Sequence, residues 1–197
     1  MTKGDETRMK ILSRSAPVFN RLGYAGAALS DIMAATGLEK GGIYNHFHSK
    51  EELALEAFDY AVWVVGQAMF EAVRDCEPGL PQLEALLEYY IDYVAAPPVP
   101  GGCPLLNTAI ESDDSNPALR QRAQKAMGRL RRFIQRMLVE GITRGQVRPD
   151  IDLETETSFL IASLEGGIML TKLYGEASYM AMVVVNLKSY VKNSIRA

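Results

Sequence analysis

Two cysteines, two histidines and one tryptophan are all that 197 residues hold of those types. Cys76 and Cys103 are too few for a disulfide framework and lack metal-ligand spacing. His46 and His48 lie close together, but with no third histidine and no nearby cysteine they do not make a metal site. No apolar run approaches the roughly 18 residues of a membrane span. The segment Met1–Thr7 has no apolar stretch of the secretory kind, so the chain is expected to be cytoplasmic, with no membrane partner. Alternating strand patterns, internal repeats and low-complexity tracts are missing. Ser, His and Asp occur without a nucleophile elbow, and glycines occur without a phosphate-loop pattern. No catalytic constellation emerges and no cofactor is implied, so an enzyme is not expected.

What is present is a hydrophobic fraction of 48%, enough for a real core, in a helical pattern nearly throughout. A first helix is expected from about Thr7 to Leu22, with Met9, Leu12, Ala16 and Phe19 three and four apart and Gly23 as its stop. A second covers Leu29 to Thr36 and ends at Gly37. A third covers Lys40 to Phe47, with Ile43 and Phe47 on its buried face. The next starts at Ser49, where Ser49 and Glu52 have capping-box spacing, and runs to about Arg74, a length of about 40 Å. Pro78-Gly79 breaks the chain before a helix from Pro81 to Ala95. Pro97 to Gly102 is a loop, followed by a short helix from Pro104 to about Ser112. Asn116-Pro117 reads as an N-cap with proline at the first helical position, opening a helix to about Gly145. Two last helices, Leu153 to Tyr174 and Ala177 to Ile195, are separated at Gly175. The expected fold is all-α with about nine helices.

Charge is unevenly spread. Residues 1–50 carry seven Lys and Arg against four Asp and Glu, a net of +3, while residues 51–197 carry a net of −6. Both histidines lie in the basic part. A basic head on an acidic body suits contact with phosphates, because that attraction is local and screened within about 10 Å. Two short helices joined through Gly37 have the form of a helix-turn-helix. In the second of them, Gly41, Gly42 and Asn45 lie opposite the Ile43/Phe47 face. Each glycine costs a helix interior roughly 1 kcal/mol relative to alanine. A return for that cost is close approach of backbone to DNA. Asn45 can pair with adenine N6 and N7.

Residues 11–58 resemble the DNA-binding head of the TetR/AcrR family of bacterial regulators. The match is carried by Ile11, Phe19, Gly23-Tyr24, Asp31-Ile32, Ala35, Gly37-Leu38, Lys40-Gly41, Ile43-Tyr44, His46-Phe47, Ser49-Lys50 and Glu52-Leu53, without gaps. The resemblance implies an all-α homodimer, with a three-helix helix-turn-helix head over residues 1–50 and an effector-binding and dimerisation body over 51–197. It implies a near-palindromic double-stranded DNA operator, contacted by Lys40, Gly41, Gly42, Tyr44, Asn45, His46 and Lys50, with Tyr44, His46 and Lys50 on phosphates. Four positions depart from the family pattern. Ala27 and Ala28 stand where a Thr or Ser caps the second helix, a cap worth about 1 kcal/mol. Glu39 stands where Ser is common, and Gly42 where Thr or Ser is common. The stretch Gly102-Cys103-Pro104-Leu105-Leu106-Asn107 resembles one in a subset of the family.

The expected function is a transcriptional repressor released from its operator by a small organic effector. Trp63, Phe70, Tyr93 and Met127 are expected cavity walls, and Asn107, Glu111 and Glu165 polar handles. Cys103, at a helix start, supports an alternative of a different class, a redox or electrophile sensor; as a small hydrophobe it would instead be buried. The dimer interface is expected from Leu160, Leu164, Gly167 and Ile168 on the penultimate helix and Met180, Val183, Val184, Leu187 and Val191 on the last. The same stripe could pack on its own chain. Arg129, Arg131, Arg132 and Arg136 read as a solvated face.

Overall fold

A computed structural model describes residues 2–112 and 116–197. Among them the chain forms nine α-helices: α1 (Lys3–Leu22), α2 (Leu29–Thr36), α3 (Lys40–Tyr44), α4 (Lys50–Val73), α5 (Leu80–Ala95), α6 (Pro104–Ser112), α7 (Pro117–Thr143), α8 (Leu153–Tyr174) and α9 (Ser178–Tyr190). The last ends in a π-helical turn, Val191–Ile195. The only extended pairing among the described residues is an isolated bridge between Val147 and Arg196. The all-α class and the helix count agree with the sequence.

Local signals account for most boundaries. Thr2 caps α1 four residues earlier than expected, accepting from the Asp5 backbone N–H while the Asp5 carboxylate accepts from the N–H of Thr2. Ser49 accepts from the Glu52 N–H at 3.0 Å, as the capping-box spacing predicts. The Glu52 carboxylate reaches one residue further back, to the His48 N–H. Asn116 accepts from the Leu119 N–H and opens α7 at Pro117. Ala28, which has no acceptor of its own, is served by the Asp31 carboxylate on its backbone N–H. Half of the missing cap of α2 is thus replaced from inside the helix.

The chain divides into two compact units, one of residues 1–65 with 98–126, the other of residues 66–97 with 127–197. This line differs from the division at residue 50, because α6 and the first turns of α7 pack with α1 to α4. In the first unit Ile11, Phe19, Ile32, Ile43, Phe47, Leu53 and Phe58 form the buried core. In the second, α5, α8 and α9 pack together, with Leu83, Leu87, Tyr90, Leu160, Leu164, Met180 and Leu187 inside.

Among the described residues α4 alone is long and apolar enough to cross a membrane, with a mean hydropathy of 1.2 over 18 residues. That exceeds the expectation that no run comes near this length. Two of its carboxylates are engaged within the first unit, however. Glu56 takes a bidentate grip from Arg8 of α1, and Asp59 pairs with Arg122 of α7.

The stripe expected to face a second chain is instead the seam between α8 and α9 of one chain. Leu160, Leu164, Gly167, Ile168, Met180, Val184, Leu187 and Val191 are all buried, and Val183 is half-buried. A Cβ on Gly167 would come within 3.0 Å of the Met180 sulfur, which shows how closely the two helices approach. Leu164→Ala should therefore destabilise the fold by about 3 kcal/mol through loss of packing and a residual cavity. Urea unfolding checks this; a cost under about 0.5 kcal/mol would contradict the assignment of Leu164 to the core.

Candidate nucleic-acid interface

The first unit presents a short helix on a rigid base. Gly37 ends α2 in the left-handed conformation, φ 70°, and lets the chain turn sharply into α3. Glu39 occupies the N-cap of α3 but makes no side-chain cap, as expected of a residue longer than Ser. The helix covers Lys40–Tyr44 and stops three residues earlier than the sequence suggested. The His46 N–H donates to the Ile43 carbonyl at 3.0 Å, an i to i+3 bond that tightens the last turn. That tightening leaves room for the chain to redirect before α4 opens at Lys50.

Ile43 and Phe47 remain anchors in the core despite the early stop. The Arg8 guanidinium lies 4.3 Å above the Phe47 ring while it grips Glu56 and reaches toward Glu52 at 3.6 Å. Arg8 thereby ties α1, α4 and the end of the recognition segment together. The sequence reading missed this residue. A lone cation at a helical position three residues before Ile11 carries no signal of such a role.

The outer face of α3 is unoccupied by the protein itself. Lys40, Gly41 and Asn45 are exposed, and Gly42, Tyr44, His46 and Lys50 are half-buried. The Lys40 ammonium lies 5.8 Å from the Tyr44 ring centroid, so the cation sits along the helix rather than away from it. A Cβ added to Gly41 would meet nothing within 4 Å, and one on Gly42 would make only an ordinary contact with Leu38 at 3.5 Å. Packing within the chain does not require glycine at either position.

The residues expected to line an effector cavity are divided between the two units. Trp63 is 56% exposed and Phe70 52% exposed. Trp63 instead borders an open surface cleft with Met9, Leu12, Glu56, Asp59, Tyr60 and Arg122. Asn107 and Glu111 bond to α1 and to the turn after it. Cys103 is buried, and its sulfur accepts from the Leu106 N–H at the start of α6. Met127 is half-buried. Tyr93 and Glu165 are buried in the second unit. Tyr93 stands in an aromatic group with Tyr89 and Tyr90, centroids 5.7–6.3 Å apart. Burial pushes the Tyr89 hydroxyl up to about 12, with the Asp92 carboxylate adding to the shift.

Comparison with known proteins agrees with this geometry. The profile of "Bacterial regulatory proteins, tetR family" matches residues 11–57. The profile of "Tetracyclin repressor-like, C-terminal domain" matches residues 79–186. A TetR transcriptional regulator of Chloroflexus aurantiacus, known from its crystal structure, is 43% identical across all of this chain and 99% of its own, with a TM-score of 0.95. A TetR-family regulator of Cytophaga hutchinsonii is 33% identical across all of this chain and 98% of its own, at a TM-score of 0.90. The HTH-type transcriptional repressor DhaR of Mycobacterium sp. is 26% identical over 84% of this chain and 82% of its own. The chain belongs to the TetR family and is a DNA-binding transcriptional regulator.

Gly41→Ala tests the open face directly. The substitution should leave stability unchanged or raise it by up to about 1 kcal/mol, since alanine favours helix and no atom is in its way. DNA affinity should nevertheless fall, as read by fluorescence anisotropy on an operator selected from random duplexes. Unchanged affinity would mean that the face of α3 does not approach DNA at this point.

Proposed function

We propose that this regulator is a homodimeric repressor whose two heads read successive half-sites of a near-palindromic double-stranded operator, and that a small organic effector releases it. The observation that carries the reading is the outer face of α3, cationic and glycine-bearing, left open by a helix whose other side is fixed in the core. Lys40 and Lys50 meet phosphates, together with Tyr44 and His46. Asn45 reads a base edge, and Gly41 and Gly42 let the backbone come close. Residues 1–50 carry DNA binding, and residues 51–197 carry effector binding and dimerisation. The place of action is the cytoplasm, where the DNA is, and the chain works by binding, not by catalysis.

The dimer is proposed through a face other than the expected one. On α8, Phe159, Ala162, Gly166, Met169 and Leu173 are spaced three and four apart, and none of them is buried. On α9, Met182 and Val185 are exposed as well. A seam spaced in this way packs against a copy of itself, and Gly166, beside which a Cβ would find open space, allows close helix approach. The partner is therefore a second copy of this chain.

Of the residues expected to meet the effector, Tyr93 and Glu165 remain, both buried on helices of the second unit. A buried carboxylate needs a hydrogen bond, a proton or a cation. Cys103 is closed off by burial and engaged with α6, which favours its structural role over the sensing one.

Lys40→Ala and Lys50→Ala should weaken all DNA similarly and flatten the salt dependence, whereas Asn45→Ala should relax one base pair per half-site by roughly 1–3 kcal/mol. Selection from random duplexes by wild type and by Asn45→Ala separates these roles. An identical base preference would remove Asn45 from the reading. A screen of compounds for release of the selected complex tests the effector. Leu173→Glu and Val185→Glu should give monomers in sedimentation with at least tenfold weaker operator binding. A wild-type mass equal to one chain would rule the interface out.

A further inference from the structure

Two of the polar residues expected at a cavity, Asn107 and Glu111, meet instead at the joint between α6 and the end of α1. Both lie in the first unit. The Glu111 carboxylate accepts from two consecutive backbone N–H groups, Tyr24 at 3.0 Å and Ala25 at 2.8 Å. These belong to the turn that leads from α1 into α2, the first helix of the helix-turn-helix. Consecutive N–H groups converging on one anion form a nest, the same geometry by which backbone binds phosphate. Gly23 makes the nest possible twice over. Its φ of 79° is one that other residues rarely adopt, and a Cβ there would stand 3.0 Å from both carboxylate oxygens.

A second set of bonds fixes the same joint. The Asn107 amide donates to the Asn20 side-chain oxygen at 2.8 Å and the Asn20 carbonyl at 3.1 Å. Asn20 in turn donates to the carbonyls of Pro100 and Gly102. The Thr108 hydroxyl donates to the Tyr24 hydroxyl at 3.3 Å, and Tyr24 stacks on Phe19. Burial holds the Tyr24 hydroxyl well above the usual phenol range, and the Glu111 charge pushes the same way, so the ring stays neutral in place. Asn20 and Thr108 are buried at this joint, while the Glu111 carboxylate and the Ala25 N–H lie nearer the surface.

We propose that Glu111 is a positioning residue for DNA binding: its carboxylate, seated in the nest of Tyr24 and Ala25, sets the turn from which α2 and α3 depart. Charge-assisted bonds to backbone are among the stronger ones in a folded chain. Two of them from one side chain fix both the place and the angle of the turn. The effect on operator reading passes through the orientation of α3, because Glu111 itself touches no base. The proposal rests on the reading of α3 as the DNA-contacting helix.

The test uses the full-length protein and an operator selected from random duplexes by the wild type. Affinity is measured for that operator, for the same half-sites with one base pair inserted between them, and for an unrelated duplex. Glu111→Ala should bind the operator at least tenfold more weakly and lose at least threefold of the discrimination against the inserted base pair. Binding to the unrelated duplex, which needs only charge, should stay within twofold. Glu111→Gln, isosteric and still offering one acceptor oxygen, should fall between the two. Wild-type discrimination in both variants would overturn the proposal, as would an equal loss on all three duplexes in proportion to unfolded protein. If Glu111→Ala fails to fold, Glu111→Gln decides: discrimination below that of the wild type supports the positioning role, and wild-type discrimination overturns it. A wild type that selects no sequence would instead overturn the reading of α3 and the role of Glu111 with it. A wild type that selects, beside variants that match it, would overturn the role of Glu111 alone.

Discussion

A five-residue helix cannot hold its own shape in water, because nucleation costs more than one turn returns. Everything that the recognition segment does therefore depends on what is fixed behind it. Ile43 and Phe47 are buried to within 1% of full coverage. Arg8 roofs Phe47 and binds Glu56, so the same ring is held from α1 and α4 at once. With one side fixed in this way, the other can carry Gly41, Gly42 and Asn45, which are poor at stabilising a helix. The division of labour is physical: stability comes from the buried face, and the exposed face is free of packing demands.

The helix order and the location of the head were legible because they rest on local chemistry. Gly23, Gly37 and Gly175 stop helices, and Ser49 and Asn116 start them. Those signals act within four residues, so a single sequence contains them whole. The end of α3 was read three residues too late for a related reason. Ile43 and Phe47 share a face, but a tight i to i+3 turn keeps them together without a continuous helix.

Partner surfaces were far less legible. The penultimate helix is apolar on two sides, one through Leu160, Leu164 and Ile168, the other through Phe159, Met169 and Leu173. A helical wheel shows both stripes and does not say which neighbour each one finds. Packing decides it: the first stripe closes on α9 of its own chain, and the second is left outside. Polar residues misled in the same manner. Asn107 and Glu111 looked like handles in an apolar context, yet Glu111 accepts from backbone N–H groups 86 and 87 residues away along the chain, and Asn107 donates to the side chain and carbonyl of Asn20, 87 residues away. The one hint available was the backbone itself. A glycine at a helix end followed by two free N–H groups calls for an acceptor, and Glu111 supplies it.

Two heads, each reading one half-site through α3, are the core of the proposed function. Hydroxyl-radical footprinting of the intact protein on its selected operator measures that directly. Two protected patches should appear, related by a dyad and centred about one helical turn or a whole number of turns apart, on one face of the duplex. A single protected patch, or uniform protection that does not follow sequence, would contradict the account.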